Sequence, residues 1–363
     1  EAIMIFWNCY SNKIVMAMRG GKETYYMAAI YLAPFYLLVC VYILLRSLHW
    51  FQVLHTVFRN VWVCRGIGLV YLFVVFSILI AFMAPASGFR RFMKLLSNYW
   101  LGVLMHTLMT LGIADGLRLL LKYPLRNFAF PGRELLFSNM GTAVVGAVCA
   151  VIISTVSIYG VLSAGNIHTT KYNISVDKKA GNMKELNVVL VADLHLGYNI
   201  GCKQMEQMTE KINEQKPDLV VVAGDIFDNE YEALDDPEKL AEILRGIRSK
   251  YGVYACYGNH DIQEKILAGF TFGSKEKKES TPEMDEFLEK AGITLLRDEY
   301  VLIDDSFYLY GRPDYERPGR GIDKRKTPQE ITEGMDVSLP VLVIDHEPRE
   351  LQELADTGVD VDL

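Results

Sequence analysis

The 363-residue sequence predicts two architectures in tandem: an all-α, multi-pass membrane region, then an α/β domain. Three observations carry that expectation. Charge is partitioned, since residues 1–170 hold 13 Lys and Arg against 4 Asp and Glu, whereas the remainder has a net charge of −16 within an overall −7. Uncharged apolar runs crowd the first half. In the second half, short β-branched runs alternate with charged amphipathic segments, as when a sheet packs on helices.

The apolar runs are too long for an ordinary core. Tyr25 to Leu45 is 21 residues without a charge, Gly66 to Phe89 is 24, and Leu95 to Ala114 is 20. No charged residue lies between Glu134 and Lys171. About 20 apolar residues cross a ~30 Å hydrocarbon core as a helix, so four spans are expected, at 25–45, 66–86, 97–117 and 142–163. A signal peptide has a single short apolar region near the start, which excludes that reading. Pro34 and Pro85 are tolerable near or within spans.

Lys and Arg gather on the cytoplasmic side of membrane proteins. Lys13, Arg19, Lys22, Arg90, Arg91, Lys94, Lys171, Lys178, Lys179 and Lys184 would share one side. Arg46, Arg59, Arg65, Arg118, Lys122, Arg126 and Arg133 would share the other. Ten against seven places both ends of the chain in the cytoplasm. Asp115 and Arg118, three residues apart, could form a same-face pair on the third span. His106, alone in mid-span, reads as a hydrogen-bonded packing residue. The six cysteines form no C-x-x-C or finger spacing, and Cys256, inside an apolar run, reads as a buried thiol.

Residues 1–170 are therefore expected to form the membrane region, 171–184 a linker, and 185–363 the α/β domain. In the last, strands are expected at Leu186 to Ala192, Asp218 to Ala223, Gly252 to Tyr257, Tyr300 to Ile303, Phe307 to Tyr310 and Val341 to Ile344, with another beginning at Val359. Helices are expected at Lys203 to Glu214, Leu240 to Ser249, Met284 to Lys290 and Arg349 to Ala355. A polar loop holds the lysine-rich stretch Lys275 to Lys278.

Polar clusters follow four of these strands, where an open α/β sheet presents its ligand-binding edge. They are Asp193-Leu194-His195, Gly224-Asp225-Ile226-Phe227-Asp228, Gly258-Asn259-His260-Asp261 and Asp345-His346-Glu347-Pro348. A lone Asp-x-His is weak evidence. Four in order, each in strand-to-loop context, are far more specific. Carboxylates, imidazoles and an amide are the hard and borderline donors that could hold two divalent ions a few ångströms apart.

The ordered blocks DLH, GDIFD, GNHD and DHEP resemble those of the calcineurin-like metallophosphoesterases, over about residues 185–363. Gly311 to Asp314, GRPD, is similar to a short turn of bacterial members, some of which also carry a multi-helix anchor. The resemblance implies a β-sandwich flanked by helices and a binuclear centre of Mn, Fe, Zn or Mg. It implies that Asp193 and His195 bind one ion, Asp225 bridges both, and Asn259 and His346 bind the other. A metal-bound hydroxide would attack phosphorus, with His260 protonating or stabilising the leaving oxygen and Asp228 orienting its ring. Asp261 is expected to serve in loop hydrogen bonding instead.

The family's final G-H-x-H block is absent, and the sequence reaches Leu363 in GVDVDL, read as the start of a strand. A domain incomplete at its C-terminus, binding metal weakly, is the expectation. The function implied is membrane-anchored hydrolysis of a phosphomonoester or phosphodiester. The alternative is a catalytically silent membrane protein using the domain to bind metal or a partner. Expected partners are a phosphoester, with a lipid-linked one suggested by the anchor, and the bilayer. The acidity of the domain argues against a nucleic-acid backbone.

Overall fold

The structure, a computed structural model, describes residues 23–85, 87–125, 131–262, 266–267, 270–271, 282–318 and 322–363. Lys13, Arg19, Lys22 and Arg126 of the orientation count, and the stretch Lys275 to Lys278, lie outside the described residues. The chain divides into two compact units, Glu1–Asn166 with Ile266–Phe272, and Ile167–Lys265 with Gly273–Leu363.

The first unit is helical: α1 (Glu23–Leu54), α2 (Val61–Val75), α3 (Ser77–Met83), α4 (Gly88–Lys122), α5 (Arg133–Phe137) and α6 (Asn139–Ala164). Three helices are long and apolar enough to cross a membrane, at Leu32–Leu54, Gly88–Lys122 and Asn139–Ala164. The pair α2 and α3, bent by 46°, adds a fourth candidate if both halves make one span. Leu38, Val151 and Leu162 turn outward, each about two-thirds exposed or more. A surface this apolar finds its complement in lipid.

The helices overrun the uncharged runs because their charges find local partners. Helix α1 continues past Arg46, whose guanidinium lies 2.6 Å from Asp115. Helix α2 begins before Arg65, which stacks 4.8 Å from the Trp62 ring centroid. Helix α4 starts at the Ser87 cap, whose hydroxyl accepts from the Arg90 N–H. The continuous span expected at 66–86 is instead broken at Phe76. Neither Pro nor Gly stands there, and the Ser77 hydroxyl donates to the Val74 carbonyl, 2.6 Å away, a side-chain intrusion of the kind that bends helices. Asp115 pairs with Arg46, not with Arg118, and also accepts from the Tyr42 hydroxyl. His106 packs with its Nδ1 3.0 Å from the Ser157 hydroxyl.

The second unit is built on two sheets. One is parallel, in the order β1 (Val188–Val191), β2 (Leu219–Ala223), β3 (Val253–Cys256) and β6 (Ile293–Leu295). The other is mixed, with β7 (Glu299–Ile303), β8 (Phe307–Arg312), β9 (Val341–Asp345) and β10 (Val361–Asp362) in the order β10-β9-β8-β7. The pair β4 (Ile266–Leu267) and β5 (Phe270–Thr271) groups with the helical unit.

Period-two alternation sorts each strand between two cores. On β2, Leu219, Val221 and Ala223 meet Phe307, Leu309, Leu342 and Ile344 between the sheets. Its Val220 and Val222 instead meet α7 (Cys202–Glu214), α8 (Pro237–Arg245) and α9 (Pro282–Lys290) through Met205, Met208, Leu244 and Phe287. On the far side, Tyr308, Tyr310, Val341 and Val343 pack with Ile331 of α10 (Pro328–Ile331) and Leu354 of α11 (Leu351–Asp356). The domain is thus a β-sandwich with helices on both outer faces. Helix α8 starts three residues earlier than its apolar pattern suggests, because the Asp236 carboxylate caps it and Pro237 presets its first turn.

A candidate metal centre at the sheet rim

The four polar clusters meet at one rim. Asp193 and His195 follow β1, Asp225 and Asp228 follow β2, Asn259 and His260 follow β3, and His346 follows β9. The first two loops are stitched together, with the N–H groups of Asp193, His195 and Leu196 donating to the carbonyls of Gly224, Asp225 and Ile226 at 3.2, 2.9 and 2.9 Å. Asp193, His195 and Asp225 all hold positive φ, at 53°, 44° and 50°. Such conformations cost about 1–3 kcal/mol each and persist where surrounding contacts over-determine them.

Asp225 is the centre of the group. One oxygen accepts from the His260 N–H at 2.7 Å. The other lies 3.3 Å from His346 Nε2 and 3.6 Å from His195 Nε2. The ligand-capable atoms of His195, Asp225 and His260 lie within 4.8 Å of one another, as do those of Asp193, Asp225 and His346. Asn259 joins the second group, its amide oxygen 3.1 Å from His346 Nε2. The opposite ring nitrogen of His346 is 3.0 Å from the Ala223 carbonyl, which fixes the ring plane. This orientation turns Nε2 towards Asp225 and Asn259.

The electrostatics match an anionic pocket that attracts cations. Burial opposes ionisation of Asp225, yet His346 and the His260 N–H hold its carboxyl below the usual range. Burial also opposes charge on His346, but the Asp225 hydrogen bond and charge outweigh it and raise the imidazole to about 9. The Asp228 carboxylate raises His195 despite burial. His260 goes the other way, pushed down chiefly by burial. Asp228 Oδ1 lies between these two rings, 3.7 Å from His195 Nδ1 and 3.9 Å from His260 Nδ1. The rings meet edge to face with centroids 4.9 Å apart. His260 Nδ1 is buried without a hydrogen-bond partner.

Close backbone approach makes this cluster possible. At Gly258, a Cβ would fall 2.6 Å from the Asp225 nitrogen and 2.8 Å from His346 Cδ2. Gly224, at φ +75°, would bring a Cβ within 2.6 Å of His346 Cβ. Asp261 is buried and braces the loops, accepting from the Phe227 and Gly258 N–H groups at 2.8 and 2.7 Å.

The sequence did not single out the support beneath His346. Asp345, just before it, is buried against Arg312 and Arg325, both nearly inaccessible, at 3.0 Å each. Asn229, left-handed and buried, donates its amide to the Ile262 carbonyl and ties the second loop to the third. Within GRPD, Asp314 accepts from the N–H groups of Glu316 and Arg317, closing a turn.

The Asp193 carboxylate, three imidazoles and an amide oxygen around one shared Asp225 fit a divalent-metal centre. Known proteins place the same stretch in the same company. A transmembrane protein with metallophosphoesterase domain from Danio rerio is 26% identical over 229 residues, covering 60% of this chain and 48% of its own length. A bovine relative of that name is 26% identical over 221 residues, covering 59% of this chain and 47% of its own. The UDP-2,3-diacylglucosamine pyrophosphatase LpxG of Chlamydia trachomatis is 22% identical over 228 residues, covering 54% and 67%. The chain spans about half the length of the two vertebrate relatives. With its clustered donors, two-sheet core and apolar helical neighbour, this is a membrane protein whose residues 186–359 are a calcineurin-like phosphoesterase domain.

Proposed function

We propose that the domain hydrolyses a phosphomonoester or phosphodiester at a two-metal centre, anchored by a multi-pass helical region with the domain on the cytoplasmic side. The observation that carries this reading is Asp225, common to two groups of ligand-capable atoms. A carboxylate offers an oxygen to each of two cations and offsets their repulsion. Asp193 and His195 would hold one ion, and Asn259 and His346 the other. The ions, Mn, Fe, Zn or Mg, would supply Lewis acidity and an activated water.

The chain's own groups do the rest. His346 is held by the Ala223 carbonyl with Nε2 towards Asp225. His260, whose Nδ1 is unpartnered, would hand a proton to the departing oxygen, against the burial that by itself lowers its pKa. Negative charge on a bound phosphate would favour protonation of that ring. Asp228 Oδ1, 3.9 Å from His260 Nδ1 and not hydrogen-bonded to it, would act on that ring through its charge. A lipid-linked phosphoester is the substrate class this reading favours, supported by the apolar helices and by the diacylated sugar nucleotide in the chlamydial relative's name.

Asp225→Asn tests the reading in the full chain. Hydrolysis of a generic aryl phosphate should fall more than about a hundredfold, beyond the cost of losing an outer-shell partner. Metal content by elemental analysis should fall with it. Undiminished turnover would overturn the two-metal reading; metal binding without hydrolysis in the parent chain would leave a binding module.

A further inference from the structure

The helical unit holds a cavity of about 310 Å³ between α1, α4 and α6. Its walls are mainly apolar, with Ile43, Leu111 and Val145 among them, and Trp50 beside them. Into this setting the chain places Arg46, Arg118 and Thr142.

Their charges do not cancel. Arg46 is paired with Asp115 at 2.6 Å, and Asp115 accepts a second bond from Tyr42. Arg46 Nε remains buried without a hydrogen-bond partner. Arg118 donates to the Thr142 hydroxyl at 3.2 Å and lies 5.7 Å from the Phe137 ring centroid. Among the described residues, no carboxylate pairs with Arg118. The carboxylate of Asp115 is thus taken by Arg46, and Arg118 stands beside mainly apolar walls, where an uncompensated charge is expensive. An anion would relieve it.

Position along the helices indicates which anion. Arg46 is eight residues from the end of α1, Arg118 four from the end of α4, and Thr142 is the fourth residue of α6. At a 1.5 Å rise per residue, all three lie within roughly 12 Å of helix ends, near the head-group level of a bilayer. A guanidinium fork matches tetrahedral phosphate oxygens. The volume sits at the low end of small-molecule pockets, about 300–1,000 Å³, enough for a phosphate head group but small for a nucleotide.

We propose that this cavity binds the phosphate head group of an anionic membrane lipid, with Arg118 as principal contact and the acyl chains lying along the outward apolar faces of the helices. Such binding is independent of hydrolysis at the sheet rim.

The test uses the full chain purified in a zwitterionic detergent, probed by native mass spectrometry with short-chain phosphatidic acid, phosphatidylcholine or inorganic phosphate. Phosphatidic acid should be retained in preference to phosphatidylcholine. Arg118→Met, which keeps an apolar stem, should weaken that retention about tenfold or more, the loss expected for a charge-assisted hydrogen bond. Arg118→Lys should restore part of it. Aryl phosphate turnover should be unchanged in both. Equal retention of the two lipids by the parent chain would overturn the proposal even if Arg118→Met failed to fold. So would full retention by Arg118→Met, or phosphate binding as strong as that of the lipid.

Discussion

In the proposed mechanism His260 moves a proton and leaves the metals to its neighbours. Its backbone N–H is committed to Asp225 at 2.7 Å, while its ring Nδ1 has no partner. Replacing the ring therefore leaves the brace on Asp225 intact. His260→Asn should lower kcat by about 10²–10⁴, the usual share of general acid catalysis, with the largest loss on esters whose leaving groups are poor. Metal content should stay near that of the parent. Equal losses across good and poor leaving groups would reject the proton-transfer role. Most of this constellation was legible in the sequence, because Asp193, His195, Asp225, Asn259, His260 and His346 each stand just past a β-branched run. Arg312 and Arg325 were not legible. An arginine in a sequence reads as surface, and only the buried Asp345 between them shows why two are sequestered there.

Turns and strand ends set the tolerances of the rim. A methyl group at position 258 would collide with the Asp225 backbone and the His346 ring, and neither can yield without moving a donor. Gly258→Ala should cost about 1–3 kcal/mol through overpacking, lowering the melting temperature by roughly 2–12 °C. Thermal denaturation of the full chain checks the first effect and metal titration a second, weakened binding. A variant with parental melting and metal affinity would show that the loop has slack. The strands longer than three residues were visible as apolar runs, but β6, three residues long and starting just after Gly292, was too short to stand out. The break at Phe76 escaped because serine in an apolar run carries no sign of which carbonyl its hydroxyl will take. Helix lengths in the first unit were underestimated for the same kind of reason: Arg46 and Arg65 looked like boundaries until their partners, Asp115 and Trp62, were visible.

An acidic phosphoesterase domain is joined to an apolar helical unit, so the proposed lipid-linked substrate class is a prediction about the full chain. In nanodiscs, the full chain should hydrolyse a membrane-resident phosphoester with higher kcat/KM than a soluble nucleotide of the same ester type. A preference for the soluble nucleotide would reject the lipid-linked class while leaving the hydrolytic centre untouched. The two-unit division was announced by the charge partition together with apolar runs in the first 170 residues that no ordinary core could cover.

Strand β2 lies between β1 and β3, and all five of its residues are buried. Its amides can exchange with solvent only when both neighbours and both packed faces separate, an opening close in cost to global unfolding. Asp225 begins two residues beyond that strand. The carboxylate at the heart of the rim is thereby tied to an interior, slowly breathing strand, and its geometry should survive the fraying of edge strands such as β7 and β10.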